Sequence, residues 1–157
     1  MPLAYIGLGA NLGQPAEQVL QALAGLGSCG RVLAQSPLYR TAPLGEPGQP
    51  DYCNAACVLD TGLTPRQLMD RLLDLERCAG RVRDGRRWAA RRLDLDLLHY
   101  EGVTLDSPEL CLPHPQIGRR NFVLAPLADV APDLEIPGVG RVADAAQALG
   151  RAGLQPW

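Results

Sequence analysis

"LTPRQLMDRLLDLE" (residues 63–76), followed after Gly80 and a twelve-residue arginine-rich segment by "LDLDLL" (residues 93–98), is the stretch that decides the fold. In its first part Thr64 stands where a helix cap belongs, Pro65 at the first helical position, and Gln67 at the third position of a capping box. Leu68, Leu72 and Leu75 then recur at helical spacing, and Gly80 supplies a stop. In the second part the period falls to two. Residues two apart on a strand share a face, so Leu93, Leu95 and Leu97 pack inward while Asp94 and Asp96 project together from the other side. A helix therefore delivers the chain to a strand that is apolar on one face and acidic on the other.

Upstream, "LAYIGL" (3–8) has the continuous apolar character of a buried strand, and "GANLGQP" (9–15) is a tight turn before a helix near Pro15 to Leu26, with Val19, Leu23 and Leu26 at helical spacing. "RVLAQSPLY" (31–39) reads as a strand interrupted or ended near Pro37. The turn-rich "TAPLGEPGQPDY" (41–52) leads into the apolar "AACVLDT" (55–61). The order β-α-β-β-α-β predicts an α+β fold of the ferredoxin-like kind, an antiparallel sheet with helices covering one face. Beyond residue 100 the pattern weakens: "VTLDSPELCLPHPQIG" (103–118) reads as loop with short strand pieces, and "VADAAQALG" (142–150) as a terminal helix. The 157 residues suit one domain, 1–157, with a C-terminal extension of the core.

No window reaches the apolar length of a membrane span, and the first residues lack the pattern of a secretory leader, so a cytoplasmic protein is expected. The cysteines at 29, 53, 57, 78 and 111 form no CxxC pair, which argues for reduced, structural thiols rather than a zinc ribbon or a disulfide framework. The net charge of −2 conceals an uneven distribution: residues 81–92 hold six arginines against Asp84. There is no lysine, which excludes the GxxxxGK[ST] phosphate loop.

Neighbouring carboxylates such as Asp94 and Asp96 repel one another unless a cation compensates. Magnesium suits them because it takes oxygen ligands and accepts a site of one or two carboxylates completed by water and phosphate. Arginines fork two hydrogen bonds onto phosphate oxygens. The plainer alternatives are a solvated acidic strand face and a basic loop paired with acids elsewhere. Nucleic-acid binding also fits arginine plus Trp88, but the adjacent acidic strand would repel a phosphate backbone. His114 in "LPHP" suits phosphate binding, acid chemistry or a rigid turn, whereas Asn11 suits capping or shaping a turn. Asn54, with Tyr52 and Phe122, suits a planar polar ligand read by an amide and covered by rings. From these residues alone the chain is a metal-dependent phosphate-handling domain, with a non-catalytic nucleotide-sensing module as the alternative.

Taken in order, "YIGLGANLG", "YRTAPLGEPGQPDYCNAA", "LERCAGRVR", "RRWAARRLDLDLL", "LPHP" and "RRNFVLAPL" resemble the 6-hydroxymethyl-7,8-dihydropterin pyrophosphokinase family nearly end to end. The resemblance implies ATP-dependent transfer of an intact diphosphate to a pterin hydroxymethyl group in folate biosynthesis, with release of AMP, two Mg2+ ions and a ferredoxin-like core. It implies Asp94 and Asp96 as metal ligands and Arg81 and Arg91 as catalytic-loop arginines. Glu76, Arg83, Arg87, His114 and Arg120 match positions around the nucleotide, and Trp88 matches a tryptophan that helps close the site. Thr41, Ala42 and Leu44 match backbone contacts to the pterin, Asn54 its side-chain contact, and Tyr52 and Phe122 its ring faces. The expected partners are pterin and ATP alone, with neither nucleic acid nor membrane, and the expected state is monomeric. Ala89-Ala90 stands where the family usually has Gly-Pro, and Ala42 where it often has proline; neither change removes a proposed ligand.

Overall fold

The computed structural model describes residues 2–42, 50–80 and 93–157. In chain order the elements are β1 (Leu3–Ala10), α1 (Pro15–Gly25), β2 (Arg31–Gln35), β3 (Tyr39–Thr41), β4 (Tyr52–Asp60), α2 (Pro65–Gly80) and β5 (Asp94–Tyr100). There follow β6 (Leu105–Asp106), β7 (Cys111–Leu112), α3 (Asn121–Val130), β8 (Glu135–Ile136), β9 (Gly140–Arg141), α4 (Val142–Leu149) and β10 (Leu154–Pro156). The main sheet has the order β10-β3-β4-β1-β5, with β2 also pairing β4. Its core therefore carries the ferredoxin-like arrangement that the alternation of helices and strands predicts. Neighbours pair antiparallel throughout.

The capping box at the start of α2 forms as the sequence indicates: the Gln67 N–H donates to Thr64 Oγ1 at 3.2 Å, and the Thr64 N–H donates to Gln67 Oε1 at 3.0 Å. Leu68 and Leu72 are fully buried against the sheet, each removal from water contributing about 1.5–3 kcal/mol. On this face they meet Val19, Leu23 and Leu26 from α1 and the end of its turn, together with Ile6, Leu8, Leu95 and Leu97 from the strands. The loop between Ser28 and β2 is pressed against the sheet, since a Cβ at Gly30 would lie 2.2 Å from the Asp60 carbonyl oxygen.

α1 and α2 thus cover one face of the sheet, as the ferredoxin-like order predicts. A second layer, α3 and α4, packs on the opposite face, where Leu124, Leu127 and Val142 meet Tyr5, Ala56, Val58 and Leu98. The register between β1 and β5 shifts between Tyr5 and Ile6, so that Leu98 has no partner of its own. Asp94, Asp96 and Leu98 share the α3 face through the strand's period of two, and the shift brings His99 to that face as well, stacked on Tyr5 with centroids 5.9 Å apart. The five cysteines form no disulfide; Cys29, Cys53 and Cys57 are buried, Cys111 is part-buried and Cys78 is exposed. No described helix is long and apolar enough to cross a membrane.

Candidate active site

Strand register lays out the site. On the α3 face Tyr39 stands opposite Asn54, Asn54 opposite Gly9, and Gly9 opposite Asp94, giving one row across four strands. The next row runs Ala56, Gly7, Asp96. With strands spaced about 4.8 Å apart, the Asn54 and Asp94 backbones stand about 10 Å from each other across Gly9. The two glycines leave this floor bare. A Cβ at Gly9 would come within 3.0 Å of Asn54 Oδ1, and one at Gly7 within 3.4 Å of the Leu98 side chain.

The resulting cleft is open to solvent, floored by Gly7 and Gly9 and flanked by Asn54 on one side and Asp94 and Asp96 on the other. Arg120, Phe122 and Val123 at the start of α3 complete it. Asn54 is buried and its amide donates to Thr41 Oγ1 at 2.6 Å, which fixes the plane of the carboxamide and turns its oxygen toward Gly9. The Arg120 guanidinium lies 5.8 Å from the centre of the Phe122 ring, placing a cation and an aromatic face together.

His114 is held by its backbone, whose N–H donates to the Leu98 carbonyl at 2.8 Å. Its Nδ1 accepts from the Gln116 N–H at 3.1 Å, so the proton of the neutral ring sits on Nε2. That nitrogen lies 4.0 Å from Asp96 Oδ1, near enough for charge to be felt but beyond a hydrogen bond. Glu76, from the last turns of α2, accepts the Leu95 N–H at 2.7 Å.

Asn54, Asp94, Asp96, Arg120 and Phe122, expected in a site from the sequence, are brought together in one cleft, with His114 at Asp96. Thr41 is drawn in through Asn54, and Tyr52 pairs with Thr41 at the near end of β4; neither they nor Ala42 line the described cleft. Leu44, Arg81, Arg83, Arg87, Trp88 and Arg91 lie outside the described residues. Asn11 does not cap α1, whose cap residue is Gln14; its side chain is buried with no partner for either polar atom among the described residues. Gly7, Gly9 and Val123 were not legible as site residues. The available signal was the alternation Tyr5, Gly7, Gly9 on one face of an otherwise apolar strand.

A family model described as 7,8-dihydro-6-hydroxymethylpterin-pyrophosphokinase (HPPK) matches residues 5–132. The chain belongs to this family. It is 45% identical over 140 residues to a 2-amino-4-hydroxy-6-hydroxymethyldihydropteridine pyrophosphokinase of Methylorubrum extorquens, covering 88% of each chain. It is 47% identical over 135 residues to one of Pseudomonas aeruginosa, covering 85% of this chain and 83% of that one. Among solved structures, a Plasmodium falciparum HPPK-DHPS triple mutant with pteroate aligns with a TM-score of 0.75 at 12% identity, over 99% of this chain and 46% of that one. Likeness at that identity concerns the fold, and the chain spans less than half of that larger protein. As a member of the HPPK family the chain is a pyrophosphoryl transferase, and ATP and Mg2+ are what the family uses.

Proposed function

We propose that the cleft transfers an intact diphosphate from ATP to the hydroxymethyl group of 6-hydroxymethyl-7,8-dihydropterin, releasing AMP. The observation that carries this is the row Asn54, Gly9, Asp94: an amide able to read a polar ring edge faces a carboxylate pair across a bare floor. A bicyclic ring with a one-carbon side chain bridges that span. The carboxamide of Asn54, oriented by Thr41, takes hydrogen bonds from the pterin, and Phe122 offers it a ring face from the cleft wall, while Tyr52 enters this reading through the family likeness.

Asp94 and Asp96 fit a hard cation, being part-exposed oxygen donors on adjacent rows of one face. Mg2+ accepts a site of one or two carboxylates, its other positions going to water and phosphate. When bound there, Mg2+ supplies charge neutralisation to the polyphosphate. Arg120, at the same cleft, adds a fixed cation for phosphate oxygens, and the Nε2–H of His114 is turned toward the Asp96 side. Arg81 and Arg91 enter this reading through the family likeness. Positioning the pterin hydroxyl in line with the β-phosphorus is the main task left to the protein.

Product analysis tests the reading. With ATP, Mg2+ and the pterin alcohol, AMP and pterin diphosphate are expected in equal amounts. ADP with a pterin monophosphate would make the chain an ordinary kinase, and ATP binding without pterin-dependent AMP release would make it a nucleotide-sensing module.

A further inference from the structure

We infer that Glu76 is a positioning residue, which sets the placement of Asp94 and Asp96 by gripping the backbone between them. The inference rests on the proposal that those aspartates take Mg2+. Among the described residues β5 is the last strand of its sheet, and its inner edge pairs with β1. Outward N–H groups of such a strand have no strand to receive them. Leu95, the residue between the two aspartates, has its N–H taken instead by the Glu76 carboxylate at 2.7 Å. A hydrogen bond to an ionised acceptor is shorter and stronger than a neutral one.

The peptide unit is planar, so fixing the Leu95 N–H fixes the Asp94–Leu95 peptide plane. The Leu95 side chain is also held, with 1% exposure in the core beneath α2. Glu76 itself stands on a helix anchored by the fully buried Leu68 and Leu72. The segment linking the two aspartates is thereby gripped at its amide from the sheet edge and at its side chain from the α2 layer, while the carboxylates project to the opposite face. Glu76 approaches from the side of the strand away from the cleft, and it does not line the cleft. Its influence on the carboxylates passes through Leu95.

Two conservative variants separate this from a role of Glu76 as a negative charge or a nucleotide contact. Glu76→Gln loses the charge and keeps an acceptor of the same reach; Glu76→Asp keeps the charge and is one methylene too short. The full-length 15N-labelled chain and both variants are compared by hydrogen exchange of the Leu95 amide without ligands, and by Mn2+ affinity in the presence of a non-hydrolysable ATP analogue. Glu76→Asp is expected to speed Leu95 exchange about tenfold, equivalent to about 1.4 kcal/mol. It is also expected to weaken Mn2+ about tenfold, as loss of a partner behind a metal ligand does. Glu76→Gln should stay within about threefold of wild type in both, a neutral hydrogen bond replacing a charged one. The inference is overturned if Glu76→Gln weakens Mn2+ binding and Glu76→Asp does not, or if Leu95 exchange is the same in all three proteins. Normal Leu95 protection with no Mn2+ binding by the wild-type chain would overturn it differently, by removing the metal reading beneath it.

Discussion

Gly9→Ala tests the bare floor most directly. Gly9 is not among the positive-φ glycines, so alanine is allowed by the backbone and the effect is steric. The new Cβ would lie 3.0 Å from Asn54 Oδ1, closer than ordinary contact, and Asn54 must yield by a few tenths of an ångström. It has little freedom to do so, being 6% exposed and bonded at 2.6 Å to Thr41, itself 8% exposed. Crowding of this kind costs about 1–3 kcal/mol. Alanine returns about 0.4–1 kcal/mol by restricting the unfolded chain. A net loss of about 1 kcal/mol lowers the melting temperature by about 2–4 °C in a chain of this size. Binding should suffer more, because the displaced carboxamide no longer meets the pterin edge. A tenfold weaker pterin Kd, about 1.4 kcal/mol, is expected by calorimetric titration. Binding of an ATP analogue should change by less than about threefold, under 0.7 kcal/mol. Gly7→Ala is the control for stability, since its Cβ meets only the flexible end of Leu98 at 3.4 Å. Unchanged pterin affinity and unchanged melting in Gly9→Ala would refute the reasoning, as would an equal loss of pterin and nucleotide binding.

Asp96→Asn should lower AMP release about 100-fold or more while the melting temperature stays near wild type, because several kcal/mol of charge stabilisation is lost from a part-exposed position; near-normal turnover across a Mg2+ titration would dismiss the metal site. Burial lowers the pKa of His99, an effect only partly offset by Glu101. The unfolded chain therefore takes up the proton first as pH falls below about 6.5, so stability should drop from that point downward, and the slope should flatten in His99→Phe if the assignment is right. Denaturation midpoints measured between pH 8 and 5 would show it. Thiol titration of the native protein at pH 8 should find Cys78 and Cys111 quickly and all five cysteines only after unfolding, because burial pushes Cys53 up to about 11 and Cys57 up to about 12. Rapid reaction of more than two native thiols would contradict the burial of Cys29, Cys53 and Cys57.

What the sequence by itself determined rests on interactions between residues close along the chain. The Thr64–Gln67 capping box links residues three positions apart, and the Leu68, Leu72 stripe covers one turn. The alternation of leucine and aspartate from 93 to 97 separates a core face from a polar one with no reference to the rest of the protein. The order of such elements was enough for the ferredoxin-like core, and the residue types at Asn54, Asp94, Asp96 and Phe122 were enough to mark a candidate site, to which the family resemblance added Arg120. Only the tertiary structure decided the rest. Leu124, Ala125, Pro126 and Leu127 are buried in succession, so α3 shows no polar face to reveal its period, and Pro126 interrupts the pattern further. Its layer, and with it the second wall of the cleft, was therefore illegible. The floor depends on register: Gly9 matters because Asn54 and Asp94, 45 and 85 residues further along the chain, fall opposite it. Glu76 reaches Leu95 because a helix packs beside an edge strand with an open N–H. Pairings of this kind are set by the global minimum of packing and strand alignment, and no local pattern encodes which distant groups that minimum brings face to face.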